Sequence, residues 1–494
     1  MKEFDILIVG GGINGAAIAR DAAGRGASTL LVDKDDFAAH TSSASTKLIH
    51  GGLRYLENYE FRMVSKALRE RDILQRSAPH LIRPLQFVLP YDGAMRPAWM
   101  MRAGLFLYDI LGGSRSLPRS RACRLTADGF GQPLMNPSGR GFTYWDCWGD
   151  DSRLVIANLQ DASGRGAQVM ARTRISAIER GPTHWTAHVQ NDEQSLDVSA
   201  RVLVNATGAA ATHFLGDIGI SARGALRTIK GSHIVTRRLF EGEHAFLLQN
   251  PDGRIVFAIP YETDFTLIGT TDVEQLDPLD QVSASPEEID YLCEAVNRWF
   301  RRPISPSDVV WSFAGIRPLY DDANGDPSDI SRDYVLDFQT QKDGAPVLSV
   351  FGGKITTHRS LGEEALNIVR TSLPGLQGPW TKSAPMPGGD LGAGGLEGLT
   401  SRLSAKLPFL DTQTHVRLAR SYGSLVWDIF GDARSRNEVG EQFGAGLTEV
   451  EVRYLIRREW ARTADDIVWR RSKLGLHLSQ KQTGRLDRYL KEAA

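Results

Sequence analysis

Apolar residues recur along this chain in two rhythms. The first is the short continuous run. Ile6, Leu7, Ile8 and Val9 stand in a row, the pattern of a strand buried on both faces. Residues 202–208, VLVNATG, and 347–351, VLSVF, repeat it. Further strands are expected at 85–89, at 171–180, 184–190 and 201–205 as a β-meander, and at 232–236, 245–249, 254–259 and 266–269. The cluster Asn250, Pro251, Asp252, Gly253 turns the chain between two of these. The second rhythm is helical. Residues 61–76 set Met63, Val64, Ala67, Leu68 and Leu74 among charges, and a short helix is expected around 286–300. Past Trp380, Pro385, Pro387 and the glycines 388, 389, 392, 394 and 395 mark a linker. The remainder reads as helices. Thr448 and Glu451 have capping-box spacing, Val452, Leu455, Ile456 and Trp460 make an apolar stripe, and Thr463 opens a helix that Gly475 ends.

Residues 96–111, RPAWMMRAGLFLYDIL, break the pattern. Arg102 and Asp109 share one helical face, and the rest is apolar almost all round. The simpler reading is a helix buried between domains. The other is a segment lying in a lipid interface, with Arg96 and Arg102 near headgroups and Trp99 at the boundary.

The first run leads into Gly10, Gly12 and Gly15, spaced G-x-G-x-x-G. The first glycine permits a tight turn, the second lets a pyrophosphate approach, and the third lets a helix pack on the strand. The small residues Ala16, Ala17, Ala19, Ala22 and Ala23 suit that helix, whose N-terminus favours an anion. A second strand over 28–32 ends at Asp33, 18 residues after Gly15. There a carboxylate can accept both ribose hydroxyls. Together these describe a dinucleotide site for FAD or NAD rather than NADP, with Asn14 among its cofactor positions.

Composition narrows the class. In 494 residues, 58 Lys and Arg balance 59 Asp and Glu, so no global nucleic-acid binder is expected. Three dispersed cysteines show neither a disulfide framework nor zinc-ligand spacing. No uninterrupted apolar run approaches the ~18 residues needed to cross a bilayer. A cytoplasmic protein, at most resting on a membrane, is expected. The histidines show no paired metal spacing, and no metal is expected.

Thr41, Ser42, Ser43, Ser45 and Thr46 crowd hydroxyls beside Lys47. The run suits a helix cap or a second lobe of phosphate contacts. Coming directly after the fingerprint, Thr41, Ser42, Ser45 and Lys47 are taken as cofactor contacts. Gly352, Gly353 and Lys354, followed by Thr356 and Thr357, repeat the strand–glycine–helix logic. A helix starting there aims its dipole at a flavin, with Gly353, Lys354 and Thr356 beside it.

TSSASTKLIHGGLRYLE (41–57) resembles the signature of FAD-dependent glycerol-3-phosphate dehydrogenases of the respiratory, non-NAD type. The resemblance returns at IKGSHIV (229–235), IGTTDVE (268–274), GIRPL (315–319), SRDYVLD (331–337), VFGGKITTHR (350–359) and RREWARTADDIVWRRSKLG (457–475). One departure is Asp33, where the family usually has Glu. The resemblance implies an α/β fold: a Rossmann-like FAD-binding domain of the two-dinucleotide-binding type (1–80, 141–225, 331–375), an inserted mixed-sheet substrate domain (81–140, 226–330), a linker (376–395) and a C-terminal helical domain (396–494). It implies non-covalent FAD, with Gly208 of the A-T-G turn beside it.

The resemblance also implies oxidation of sn-glycerol 3-phosphate to dihydroxyacetone phosphate, with electrons passed to a membrane quinone. Arg54, Arg317 and Arg332 form a phosphate clamp, since planar guanidinium donors match phosphate oxygens. Tyr55 hydrogen-bonds substrate. His233, whose ordinary pKa lies near neutrality, is the general base, and Arg317 and Lys354 steady the developing alkoxide. The enzyme is expected on the inner face of the cytoplasmic membrane. Alternatives are an oxidase using O₂, a related 2-hydroxyacid or amine oxidoreductase, and a flavin-binding scaffold without activity. The basic C-terminal residues Arg453, Arg457, Arg458, Arg462, Arg470, Arg471 and Lys473 read first as a solvated face, otherwise as a lipid or homodimer contact.

Overall fold

The computed structural model describes residues 1–92, 96–113, 116–275, 282–321, 333–341 and 344–493. Two sheets carry it. In the first, the strands Gly344–Phe351, Ser195–Asn205, Lys2–Val9, Thr29–Val32 and Gln168–Met170 lie side by side and parallel. Val335–Gln341 joins one edge antiparallel, and the expected meander branches off Ser195–Asn205. Period-two alternation divides the first strand between two cores. Ile6 and Ile8 face helices, while Leu7 and Val9 face the core of Trp185, Val189 and Leu215. The alanine-rich helix Ile13–Gly24 packs against both Asp151–Gly164 and His358–Val369. Small residues make this approach possible: a Cβ on Gly362 would lie 2.9 Å from the Ala17 carbonyl oxygen.

Among the described residues the second sheet has ten strands. Ala225–Arg237 pairs along its length with Val309–Asp321 and on its other side with Phe265–Gly269. The sheet continues through Ile255–Tyr261, Ala245–Gln249, Ile82–Pro90 and Arg140–Gly149. It also takes in Leu48–Ile49. Strand Arg140–Gly149 thus runs past the domain boundary expected at residue 140. Helix Pro286–Asn297 covers one face and opens with a capping box of Ser285 and Glu288.

Helix Ala98–Gly112 is not buried between domains. It buries only Leu105, Tyr108 and Gly112, while Trp99, Phe106 and Ile110 are 71%, 53% and 57% exposed. No described helix is long and apolar enough to cross a membrane.

The C-terminal domain packs helices Gly395–Lys406, Thr412–Tyr422, Glu449–Glu459 and Gln480–Ala493 around Leu399, Leu403, Leu418, Tyr422, Val452, Leu455 and Leu486. The segment before it is no loose tether. A Cβ on Gly24 would strike the Trp380 ring, and one on Gly388 would lie 2.2 Å from the Tyr422 carbonyl oxygen. Thr448 is the N-cap residue of its helix, but no side-chain cap forms. Glu451 instead accepts from Tyr422 and Arg417, the buried cation being the stronger partner. The segment after Thr463 forms a π-helical turn, Asp466–Arg471.

The basic run also divides. Arg453, Arg457, Arg458 and Arg462 are exposed, whereas Arg470, Arg471 and Lys473 are drawn against the first domain. Arg470 and Arg471 both pair with Asp36, at 2.5 and 2.7 Å. A solvated face therefore describes only the first four.

His80, His233 and His358 are buried, and desolvation pulls them from 6.5 to about 3, about 3 and about 4. Their folded values lie below the unfolded one, so below pH 6.5 only the unfolded chain gains protons. Stability present above that pH is lost as pH falls towards the folded values, at about 1.4 kcal/mol per pH unit for each group. The expected result is a lower melting temperature at about pH 5 than at about pH 7.5. Calorimetry showing equal values would contradict it.

Candidate active site

The carboxyl ends of the parallel strands meet one face of the second sheet. Gly10 has φ +106°, and a Cβ there would lie 2.5 Å from the Ala206 carbonyl oxygen. The fingerprint turn thereby touches the A-T-G turn that carries Gly208. A Cβ on Gly15 would fall 1.9 Å from the Gly10 carbonyl oxygen, so the helix can sit on its strand only with glycine there. Gly12 caps that helix without a side-chain bond. Asp33 stands where expected. Its Oδ2 accepts from the Gly11 amide at 2.6 Å and its Oδ1 from the Asp35 amide at 2.9 Å. Burial pushes its carboxyl up, and these amides pull it back. The second lone pair on each oxygen suits a ribose diol.

Asn14 shows that a polar cofactor group fits beside this turn. Its Nδ2 donates to the Gly352 carbonyl at 3.0 Å, while its Oδ1 is buried with no partner among the described residues. Gly353, at φ +102°, keeps the same place open, since a Cβ would lie 2.9 Å from Asn14 Nδ2. Together these features fit FAD: a glycine cradle, an uncapped helix start, a ribose acceptor and an unsatisfied amide oxygen.

The hydroxyl run is bound to the protein itself. Ser42 Oγ accepts from the Ile13 amide at 3.0 Å, and Thr41 donates to the Ile316 carbonyl at 2.9 Å. Ser45 donates to Asp151 at 2.8 Å. Lys47 is fully buried, with its ammonium 2.8 Å from Asp151 and also donating to the Ser43 carbonyl. An ammonium removed from water needs a carboxylate, so Lys47 is committed to Asp151 rather than to a phosphate. Burial opposes the charge on Asp151, but Lys47 and Lys473 hold its carboxyl below the ordinary range. The run secures the loop to three separate elements.

On the second sheet, Ile229, Gly231 and His233 face the same way as Arg317, Gly315 and Phe313 opposite them. Gly315 lets the loop lie across this face, since a Cβ would come 2.9 Å from the Ala44 carbonyl oxygen. His233 Nε2 is 2.9 Å from Thr46 Oγ1, and its ring stacks on Phe313 at 4.9 Å. Its Nδ1 has no partner among the described residues. The neutral-range value expected for His233 does not survive burial: desolvation, then Lys47 and Arg317, lower it to about 3. Arg317 is half exposed; it donates to the Thr271 carbonyl at 3.1 Å and pairs with Asp272.

The remaining candidates gather opposite. Gly352 carries the chain past Pro318, whose carbonyl oxygen would lie 3.4 Å from a Cβ there. Next to it, the Lys354 ammonium sits 3.8 Å from the centre of the Tyr55 ring. Thr356 Oγ1 accepts from the His50 amide at 3.2 Å. Arg54 is exposed on the short helix Leu53–Asn58. Arg332 lies outside the described residues. The structure thus places His233 and Arg317 on two paired strands of one sheet, and brings Lys354, which follows strand Gly344–Phe351, against Tyr55 of the short helix Leu53–Asn58. Nothing local in the sequence singles out Asp151, and Thr46 stands there only as one of the hydroxyl run; their distant partners Lys47 and His233 give them their roles.

The family model for FAD dependent oxidoreductases matches residues 5–359, and that for the C-terminal domain of alpha-glycerophosphate oxidase matches residues 379–493. A glycerol-3-phosphate dehydrogenase of Pseudomonas aeruginosa is 49% identical over 492 residues, covering 99% of this chain and 95% of that protein. A D-erythritol 1-phosphate dehydrogenase of Brucella abortus is 44% identical over 484 residues, covering 97% and 96%. Among solved structures, a glycerol-3-phosphate dehydrogenase from Bacillus halodurans complexed with FAD matches with TM-score 0.75 and 25% identity, over 99% of this chain and 94% of that one.

Proposed function

The chain belongs to the FAD-dependent oxidoreductase family, and on that footing we propose that it oxidises sn-glycerol 3-phosphate to dihydroxyacetone phosphate and passes the electrons to a membrane quinone. The observation that supports this most is near-full-length similarity at 49% identity to a glycerol-3-phosphate dehydrogenase. The half-exposed Arg317 beside His233 suits the same substrate.

When bound, FAD supplies the hydride acceptor. The chain supplies the rest. Arg317, with Arg54 and Arg332, grips the phosphate through forked donors. A phosphate dianion competes with Asp272 for Arg317. His233 accepts the C2 hydroxyl proton; burial keeps it neutral, the form that has a free lone pair. The same dianion offsets the two cations that depress His233. Lys354, against the Tyr55 ring, steadies negative charge developing on the substrate oxygen.

A second reading has a specific basis, the 44% identity to a D-erythritol 1-phosphate dehydrogenase. Both substrates carry a phosphate and a neighbouring carbinol, so the arginine clamp does not separate them. Helix Ala98–Gly112 supports peripheral attachment to the inner face of the cytoplasmic membrane. Trp99, Ala103, Phe106 and Ile110 fall on one helical face, and that face is exposed.

Under anaerobic conditions, glycerol 3-phosphate is expected to bleach the bound flavin faster than D-erythritol 1-phosphate does, and the reduced enzyme to reoxidise faster with quinone than with O₂. No bleaching by glycerol 3-phosphate would sink the assignment. Arg317→Ala should retain FAD and raise the substrate KM at least tenfold, about 1.4 kcal/mol; an unchanged KM would remove it from the clamp. Replacing Trp99 and Phe106 with Ser should abolish co-sedimentation with anionic vesicles and leave dye-linked activity intact. Undiminished binding would move membrane contact elsewhere.

A further inference from the structure

The C-terminal domain reaches the active site at the π-helical turn Asp466–Arg471 and the residues after it. Lys473 has φ +58° and is buried against the first domain. Its ammonium donates to the Trp469 carbonyl at 2.7 Å and to Ser152 Oγ at 3.0 Å, and lies 4.0 Å from Asp151. Asp151 in turn holds Lys47 and Ser45, the residues on either side of Thr46. Lys47 has φ +60°, and its amide donates to Ser45 Oγ at 2.9 Å. The Thr46 hydroxyl presented by this turn meets His233.

A second route runs in parallel. The Trp469 ring stacks on Trp311 at 4.6 Å, Trp311 meets Phe313 at 4.7 Å, and Phe313 stacks on His233. Trp469 is itself seated over Gly475, where a Cβ would lie 2.5 Å from its ring. One route is polar and ends on a ring nitrogen. The other is aromatic and ends on the ring face. Both begin in the C-terminal domain, at two residues joined by the Lys473–Trp469 bond, and both close on one imidazole.

We propose that Lys473 and Trp469 are positioning residues for His233, so that the C-terminal domain completes the active site. The proposal rests on the reading of His233 as proton acceptor, but its geometry can be tested apart from that reading. An imidazole fixed at a nitrogen and on a face keeps one rotamer. Remove either hold and the ring gains freedom at the position where it must meet the substrate hydroxyl. Neither residue touches the substrate, so the loss should fall on the rate of flavin reduction rather than on substrate affinity.

The experiment uses the FAD-loaded full-length enzyme. Lys473→Met should slow anaerobic flavin reduction by glycerol 3-phosphate by roughly 10- to 100-fold, the scale of a small misplacement. Trp469→Leu should do the same, and Trp469→Phe, which keeps a ring, should restore much of that loss. In a His233→Ala background, Lys473→Met should add little further loss, because the group it positions is gone. A loss of equal size in both backgrounds, or an unchanged rate, overturns the proposal.

The independent readout is ¹⁵N-histidine NMR, with the His233 signal identified by its disappearance in His233→Ala. That signal should move in Lys473→Met and in Trp469→Leu; a fixed signal in both refutes the positioning. Should glycerol 3-phosphate fail to reduce the wild-type flavin while the signal still moves, the substrate reading falls and the positioning stands. If Lys473→Met does not fold, the two Trp469 variants decide by the same measurements.

Discussion

The pair Lys47–Asp151 is the contact on which the site depends. Both side chains are wholly buried, so neither charge can be left alone; breaking such a pair costs about 3–5 kcal/mol. Asp151 begins helix Asp151–Gly164, where the positive end of the helix dipole favours its charge, and Asp150 caps the same helix through the Arg153 amide. Lys47 belongs to the loop that follows the second parallel strand. Closing the pair therefore fixes the loop to the first domain's helix layer. The loop then makes its other bonds, from Ser42 to the fingerprint helix, from Thr41 to strand Val309–Asp321, and from Thr46 to His233. Two sheets with separate cores are brought to a fixed separation by a segment of seven residues.

That separation divides the labour. The first sheet presents glycines and backbone amides at its strand ends, which suit a long, charged cofactor approached by main chain. The second sheet presents side chains, His233 and Arg317, on a face kept low by Gly231 and Gly315. The glycines matter on both sides for the same reason. A Cβ on Gly231 would lie 2.9 Å from the Arg317 guanidinium, so a larger residue would push aside the group proposed to grip substrate.

Local order carried most of the fold into the sequence. Continuous apolar runs marked parallel strands because such strands are covered on both faces, and Ala245–Gln249 has the bounds its pattern implies. The fingerprint was legible because strand, glycines, helix and acid lie within about thirty residues, the span of one structural unit. What escaped was set by distance along the chain. Arg470 and Arg471 look solvent-facing until Asp36, more than 400 positions earlier, is placed beside them. Lys47 looked available to phosphate because Asp151 is 104 positions away. His233 looked titratable near neutrality because its desolvation comes from elements that no local pattern records.

Helix Ala98–Gly112 misled in the opposite direction, and the reason is instructive. An almost uniformly apolar helix is usually buried on every side, yet this one is fixed by a narrow inner face. The Tyr108 hydroxyl donates to Asp146 and accepts from the Gly51 amide, each at 2.8 Å, and Asp146 pairs with Arg71. This buried polar network holds the helix without help from Trp99, Phe106 or Ile110. Fully burying a large apolar side chain is worth about 1.5–3 kcal/mol, so three such residues left half exposed or more forgo a gain the fold could have taken. Under the membrane reading, the lipid interface supplies that burial. The inner face then sets the place of contact: through Gly51 the helix is one hydrogen bond from the loop that continues into Tyr55, against which Lys354 lies.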